Sequence, residues 1–110
     1  MDWFVAFALT VAVEATVLAV SLWDYGIRTL VGSAIILNII THPFVWFILP
    51  AIFSGSYYVI IAELFAVLAE YIMLRFMFRR ETQLKLLLTS FTMNFTSFYV
   101  GGVLHAIYII

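Results

Sequence analysis

Apolar runs of about twenty residues dominate the chain, and short polar or turn-rich stretches separate them. We place the runs at about Trp3 to Leu22, Arg28 to Leu49, Tyr57 to Phe78 and Leu84 to Tyr108. A helix that rises 1.5 Å per residue needs about 20 residues to cross a hydrocarbon core of about 30 Å. Helices are the expected spanning element, because an open sheet leaves backbone groups unpaired in lipid. The pattern predicts an all-α polytopic membrane protein in which four transmembrane helices form one bundle.

Composition favours the same class. Of the 110 residues, 66% are hydrophobic and 10% are charged, and the mean hydropathy is +1.18. Five basic and six acidic side chains cannot cover the surface of a soluble domain of this size. The first run has no basic start and exceeds the length of a signal-peptide core, so we expect it to remain as a span. The absence of cysteine excludes disulfides and thiol chemistry.

All five basic side chains flank the first and third connections. They are Arg28, Arg75, Arg79, Arg80 and Lys85. Cytoplasmic loops carry an excess of lysine and arginine, so we predict that loops 1 and 3 are cytoplasmic and that both termini are extracytoplasmic. The expected localisation is therefore a multi-pass span of the lipid bilayer.

An internal repeat appears when the chain is shifted by 56 residues against itself. Apolar matches are frequent by chance in such a composition, so the polar matches are the informative ones. These are Glu14 with Glu70, Asn38 with Asn94 and Thr41 with Ser97. We interpret residues 1–54 and 55–110 as two helix hairpins that start on the same side of the membrane. This predicts parallel repeats related by a pseudo-two-fold axis along the membrane normal.

The repeated polar groups fall near the middle of their helices, ten to thirteen residues from the ends. The residues predicted to bind a proton or substrate are Glu14, Glu70, Asn38, Asn94, Thr41 and Ser97. Two carboxyls in a low dielectric cannot both ionise readily, so we expect them to share a proton and to exchange it for a small cation or polar solute. The alternative is structural: neutral carboxyls bonded to the asparagines as interhelical links.

A second polar layer is predicted nearer the outer side. Glu63 and His42 fall at similar depths on helices 3 and 2, and Pro43 follows the histidine directly. Proline lacks an N–H and clashes with the carbonyl four residues earlier, so Pro43 is expected to kink helix 2 and to free the carbonyl of Ile39. We predict that Glu63, His42 and Pro43 form an outer vestibule.

Three function classes remain open. The first is a proton-coupled transporter or channel subunit that acts as a homo-oligomer, and the second is an accessory or assembly subunit of a larger membrane complex. The third is a haem b anchor ligated by His42 and His105. No Ser/His/Asp arrangement, HExxH or GxSxG occurs, so we expect no enzyme activity, and we expect no metal or nucleic-acid partner.

The short chain, its four predicted spans and the segment Ala12-Val13-Glu14 resemble small multidrug resistance transporters, which carry an essential glutamate in their first helix. The resemblance implies a functional role for Glu14 alone. Helix 3 departs from that family, because it lacks the glycine-rich packing pattern and carries Glu63 and Glu70. The one-sided cations argue against the dual insertion of such transporters, so membership is not inferred.

Overall fold

Four helices make up the protein in its computed structural model, which describes residues 3–53 and 55–106. No strand occurs in those ranges, so the prediction of an all-α fold with four helices is confirmed. The helices are α1 (Trp3–Ser21), α2 (Ile27–Ile52), α3 (Ser56–Met77) and α4 (Gln83–Ala106).

The helices pack as a bundle that measures 39 × 28 × 19 Å. Helix α1 lies against α2 on one side and α4 on the other, and α3 lies against α4. The interface between α2 and α3 is the smallest of the four. The bundle is therefore least tightly closed along the α2–α3 side.

Among the described residues, α1 and α2 are long and apolar enough to cross a membrane. Most residues of both spans face outward rather than into the bundle. Large apolar side chains are also exposed on the other two helices, including Leu64 and Leu68 on α3 and Phe91 and Phe95 on α4. The outer surface is thus apolar on every helix.

One half of the bundle is filled by a close-packed apolar core, here called the leucine half. Its side chains are each at most 2% exposed, and they come from all four helices. They are Leu18, Leu22, Leu30, Ala34, Leu37, Leu74, Phe78, Leu86 and Met93. This core occupies the end of the bundle where α1 connects to α2 and α3 connects to α4.

Those two connections meet at the end of the leucine half. The ring edge of Tyr25 packs on Phe78 with centroids 4.6 Å apart, and its hydroxyl donates to Glu81 Oε2 at 3.1 Å. The guanidinium of Arg80 lies 5.2 Å from the centroid of the same tyrosine ring. Lys85 Nζ lies 2.7 Å from Glu81 Oε1, and this hydrogen bond lowers the pKa of the Glu81 carboxyl from its ordinary value of 4.5. Arg80 and Lys85 therefore lie close together at this end of the bundle.

Helix α2 passes through Pro43 without ending. A single π-helical turn over Phe44–Ile48 follows the proline, and the Leu49 N–H donates to the carbonyl of Phe44 five residues earlier. Pro43 has no N–H to donate to the carbonyl of Ile39, and the helix continues past it with the Phe44 N–H bonded to the carbonyl of Thr41.

The second connection is shorter than the sequence pattern predicted. The expected loop began at Pro50, but the helix continues to Ile52. The carbonyl of Val45 has no backbone donor here. The N–H of Leu49 is bonded to the carbonyl of Phe44, and Pro50, the next residue, has no N–H. The hydroxyl of Tyr58 donates to the Val45 carbonyl instead and ties the start of α3 to α2.

Candidate functional site

A cavity of about 360 Å³, with polar side chains set in a largely apolar wall, occupies the half of the bundle opposite the leucine half. All four helices contribute to its wall. Its wall includes every residue predicted to bind a proton or substrate, together with both titratable residues of the predicted vestibule: Glu14, Glu70, Asn38, Asn94, Thr41, Ser97, Glu63 and His42. Pro43 is not part of the wall and lies within α2 instead.

The floor of the cavity contains a hydrogen bond between α1 and α2. Asn38 Nδ2 donates to Glu14 Oε1 at 2.9 Å and to the carbonyl of Ala34 at 2.8 Å. Glu14 and Asn38 are each only 1% exposed. Leu18, one helical turn beyond Glu14, is fully buried and begins the apolar core beneath the pair.

The same arrangement occurs between α3 and α4. Asn94 Nδ2 donates to Glu70 Oε1 at 2.9 Å and to the carbonyl of Ser90 at 2.9 Å. Glu70 is 1% exposed and Asn94 is 7% exposed. In both pairs the asparagine follows the glutamate by 24 residues and uses both of its amide hydrogens.

A third contact joins α2 to α3. Thr41 Oγ1 lies 2.9 Å from the carbonyl of Leu37 and 3.1 Å from Glu70 Oε2. Ser97 occupies the matching position on α4, yet no hydrogen bond joins it to Glu14 within residues 3–53 and 55–106. The two carboxyls therefore have different surroundings, even though each pairs with an asparagine.

Two of the predicted vestibule residues, Glu63 and His42, lie on the cavity wall, and no hydrogen bond joins them in the described ranges. Glu63 is half-buried, whereas His42 is 7% exposed and is enclosed by three aromatic rings. The ring centroids of Trp3 and Phe7 each lie 5.6 Å from that of His42, and Trp46 lies 5.8 Å away. His42 Nε2 and Trp3 Nε1 are buried without a hydrogen-bond partner among the described residues.

The haem alternative depends on two histidines, of which one can be placed. Aromatic rings crowd His42 on several sides, which leaves little space for a macrocycle there. The side chain of His105 lies outside the described residues, so bis-histidine ligation stays a prediction. Within the described ranges, no group of three or more histidine, aspartate or glutamate side chains is placed to hold a metal ion.

Several cavity contacts were missed by sequence reasoning. Sequence reasoning did not include Tyr58 or Trp46 in the site, yet both lie in the cavity wall. The bond from Thr41 to Glu70 joins the two halves of the chain, and no spacing within one helix indicates it. Outside the cavity, the contact between Tyr25 and Glu81 did have a signal in the sequence, because their separation of 56 residues equals the repeat spacing.

The cavity is richer in acceptors than in donors. Each of the two asparagine amides donates one hydrogen to a glutamate oxygen and the other to a helix carbonyl. The amide oxygens of Asn38 and Asn94 accept no hydrogen bond in the described part of the chain. Glu63 likewise presents acceptor oxygens to this space. Such a wall suits a proton, a cation or a solute rich in hydrogen-bond donors. No family model, curated protein or solved structure matches this chain.

Proposed function

We propose that the protein is a small proton-coupled transporter or channel subunit in which Glu14 and Glu70 exchange a proton for a small cation or polar solute. The observation that carries this proposal is the pair of buried glutamate–asparagine bonds at the floor of one cavity. A carboxyl at such depth is costly to insert into a bilayer, by something like 2.5–3.5 kcal/mol on insertion scales. Two such groups in one cavity are more than helix packing needs.

The proposal places the chain in a bilayer as four spans. Support comes from apolar side chains exposed on every helix, while the acids of the helix centres face the bundle interior. The contacts among Tyr25, Arg80, Glu81 and Lys85 bring loops 1 and 3 to one end. With the positive-inside bias, that end is cytoplasmic and both termini are extracytoplasmic.

The two hairpins act as parallel repeats in this proposal, as residues 1–54 and 55–110. Burial supports this, because positions 56 residues apart are buried alike. Examples are Ala6 with Ala62, Glu14 with Glu70, Leu18 with Leu74, Leu30 with Leu86, Leu37 with Met93 and Asn38 with Asn94. Side-chain bonds follow the same spacing, since Ser33 donates to the Thr29 carbonyl and Thr89 to the Lys85 carbonyl, each at 2.7 Å.

A transport cycle follows from the two halves of the bundle. The cavity gives the midplane acids access from the end that carries the termini, while the leucine half blocks the path to the loop end. Exchange across the membrane therefore requires the leucine half to open while the outer half closes. One exchangeable proton on this pair of carboxyls would travel with this change, because two neighbouring charges in a low dielectric oppose each other.

The test is flux in liposomes that contain the purified protein and a pH-sensitive dye. After a pH gradient is set, small cations are added outside and the change in luminal pH is recorded. We expect at least one of Glu14→Gln and Glu70→Gln to reduce flux at least tenfold, because glutamine keeps the shape and still accepts from asparagine but holds no exchangeable acid proton. Asp24→Asn makes the same chemical change at an exposed loop residue and is the matched control.

Both glutamine variants must keep the unfolding temperature of the parent for the comparison to count. Undiminished flux in the two variants would reject the assigned role of the carboxyls.

A second candidate, an accessory subunit of a larger membrane complex, is favoured by the leucine half itself. No cavity residue reaches into that core among the described residues, so the polar path stops at the midplane. Native mass spectrometry of the protein from its own host separates the candidates. A stable assembly with other polypeptides supports the subunit, whereas copies of this chain alone support a homo-oligomeric transporter.

A further inference from the structure

We infer that Thr41 is a positioning residue that holds Glu70 in its neutral form, and that Glu14 is the carboxyl that exchanges its proton with the cavity. The inference deepens the proposed function by giving the two acids different roles.

One oxygen of each glutamate is treated alike. Glu14 Oε1 accepts from Asn38 and Glu70 Oε1 accepts from Asn94, both at 2.9 Å. The second amide hydrogen of each asparagine goes to a helix carbonyl, so neither amide has a hydrogen left for the other carboxyl oxygen. Any difference between the acids must therefore arise at Oε2.

At Glu70, Oε2 lies next to the Thr41 hydroxyl, which already makes a hydrogen bond. Thr41 Oγ1 lies 2.9 Å from the Leu37 carbonyl and 3.1 Å from Glu70 Oε2. A threonine hydroxyl has one hydrogen, and a carbonyl can only accept. Both contacts are full hydrogen bonds when the hydroxyl donates to Leu37 and Glu70 Oε2 carries a proton and donates to Thr41. An ionised Glu70 would have to compete with Leu37 for a single hydrogen.

At Glu14 the corresponding contact is missing. Ser97 matches Thr41 at the repeat spacing and lies on the cavity wall, but it makes no hydrogen bond to Glu14 in the described part of the chain. Glu14 Oε2 therefore has no neighbour that favours a bound proton in the way that Thr41 does at Glu70.

A neutral Glu70 also removes the like charge that would oppose ionisation of Glu14. The other titratable groups on the wall are His42 on α2 and Tyr58 and Glu63 on α3, while α1 and α4 add no further charged side chain within the described residues. None of these three groups is hydrogen-bonded to either midplane acid in the described ranges. The proton that moves during exchange is thus the one on Glu14.

The test is infrared difference spectroscopy of the carbonyl stretch of protonated carboxyl groups, with the full chain in lipid vesicles at neutral pH. A Glu63→Gln background removes the remaining carboxyl of the described cavity wall. We expect Glu70→Gln to abolish the band and Glu14→Gln to retain it. Thr41→Val should move the band to higher wavenumber, because the carboxyl proton loses its acceptor, while Thr41→Ser keeps the parent position.

Thr89→Val is the matched control, since Thr89 makes the same bond to a carbonyl four residues earlier but touches no carboxyl. A band that disappears with Glu14→Gln and persists with Glu70→Gln would overturn the inference. So would identical spectra for Thr41→Val and Thr89→Val. The same experiments separate failure of the proposed function from failure of this inference. Absent flux with the expected band pattern rejects transport but not the roles given to the two acids. Normal flux with the band on Glu14 rejects those roles but not transport.

Discussion

Truncation of Leu74 to alanine tests whether the leucine half is a packed barrier inside a bilayer. Leu74 is fully buried on α3, and the same helix offers a matched control in Leu68, which is 56% exposed. In a soluble core, Leu→Ala changes of this kind cost about 2.7–5.0 kcal/mol of unfolding free energy. Part of that cost is the lost transfer of three carbon groups out of water, about 2.4 kcal/mol at about 0.8 kcal/mol each.

That transfer contribution vanishes for a protein in lipid, because a separated helix still keeps its leucine in hydrocarbon. What remains for Leu74→Ala is the loss of packing around the cavity, roughly 0.3–2.6 kcal/mol from the difference of those figures. Leu68→Ala should change the unfolding free energy by less than about 0.5 kcal/mol, because its side chain faces outward.

The assay is reversible unfolding in lipid bicelles, titrated with a denaturing detergent and followed by the fluorescence of the three tryptophans. Liposome flux of the same variants is measured in parallel, and Leu74→Ala should leak protons faster than Leu68→Ala. A loss well above about 3 kcal/mol for Leu74→Ala would mean that this side chain leaves water on folding, against the bilayer assignment. Equal effects of the two truncations would refute the packed barrier.

Two further perturbations follow from contacts at the ends of the bundle. Tyr58→Phe should lower the unfolding free energy by about 1–3 kcal/mol, because the carbonyl of Val45 loses its donor; thermal unfolding measures this, and Pro50→Ala in the same background should recover part of it by restoring an N–H. The stability that Glu81 contributes is present above its unfolded pKa and is lost as the pH falls through the lower pKa of the folded state, below 4.5, since the hydrogen bond from Lys85 holds that value down. Glu81→Gln should flatten this acidic step in unfolding temperature against pH, and an unchanged step would place its origin elsewhere.

The sequence predicted the number and class of the helices because the apolar runs are long and their breaks are marked by charge or turn residues. The predicted end of α2, just before Pro50, was wrong by a few residues. Proline usually ends a helix because it cannot donate the backbone hydrogen bond that the helix needs. Here the need is met from another helix, by the hydroxyl of Tyr58. Periodicity within one segment cannot report such a donor.

The candidate site was predictable as a set of positions but not as a set of bonds. Equal spacing indicated that Glu14 and Glu70 have matching surroundings, and the bonds to Asn38 and Asn94 do match. The departure at Thr41 depends on how closely α2 approaches α3, which is a property of packing between helices. Threonine and serine look interchangeable in a repeat, although only Thr41 of the pair bonds to a carboxyl of the other hairpin in the described structure.

In the proposed parallel-repeat arrangement, the contact between Tyr25 and Glu81 is one that two identical copies of a single hairpin could not make at their axis. These residues are 56 positions apart, so they occupy equivalent positions in the two hairpins. In a symmetric homodimer, a residue on the two-fold axis meets only its own twin, and tyrosine would face tyrosine or glutamate would face glutamate across it. Covalent fusion lets the two sides differ, so an aromatic donor and an acidic acceptor can meet at the axis and replace a repulsive acid pair with an attractive one.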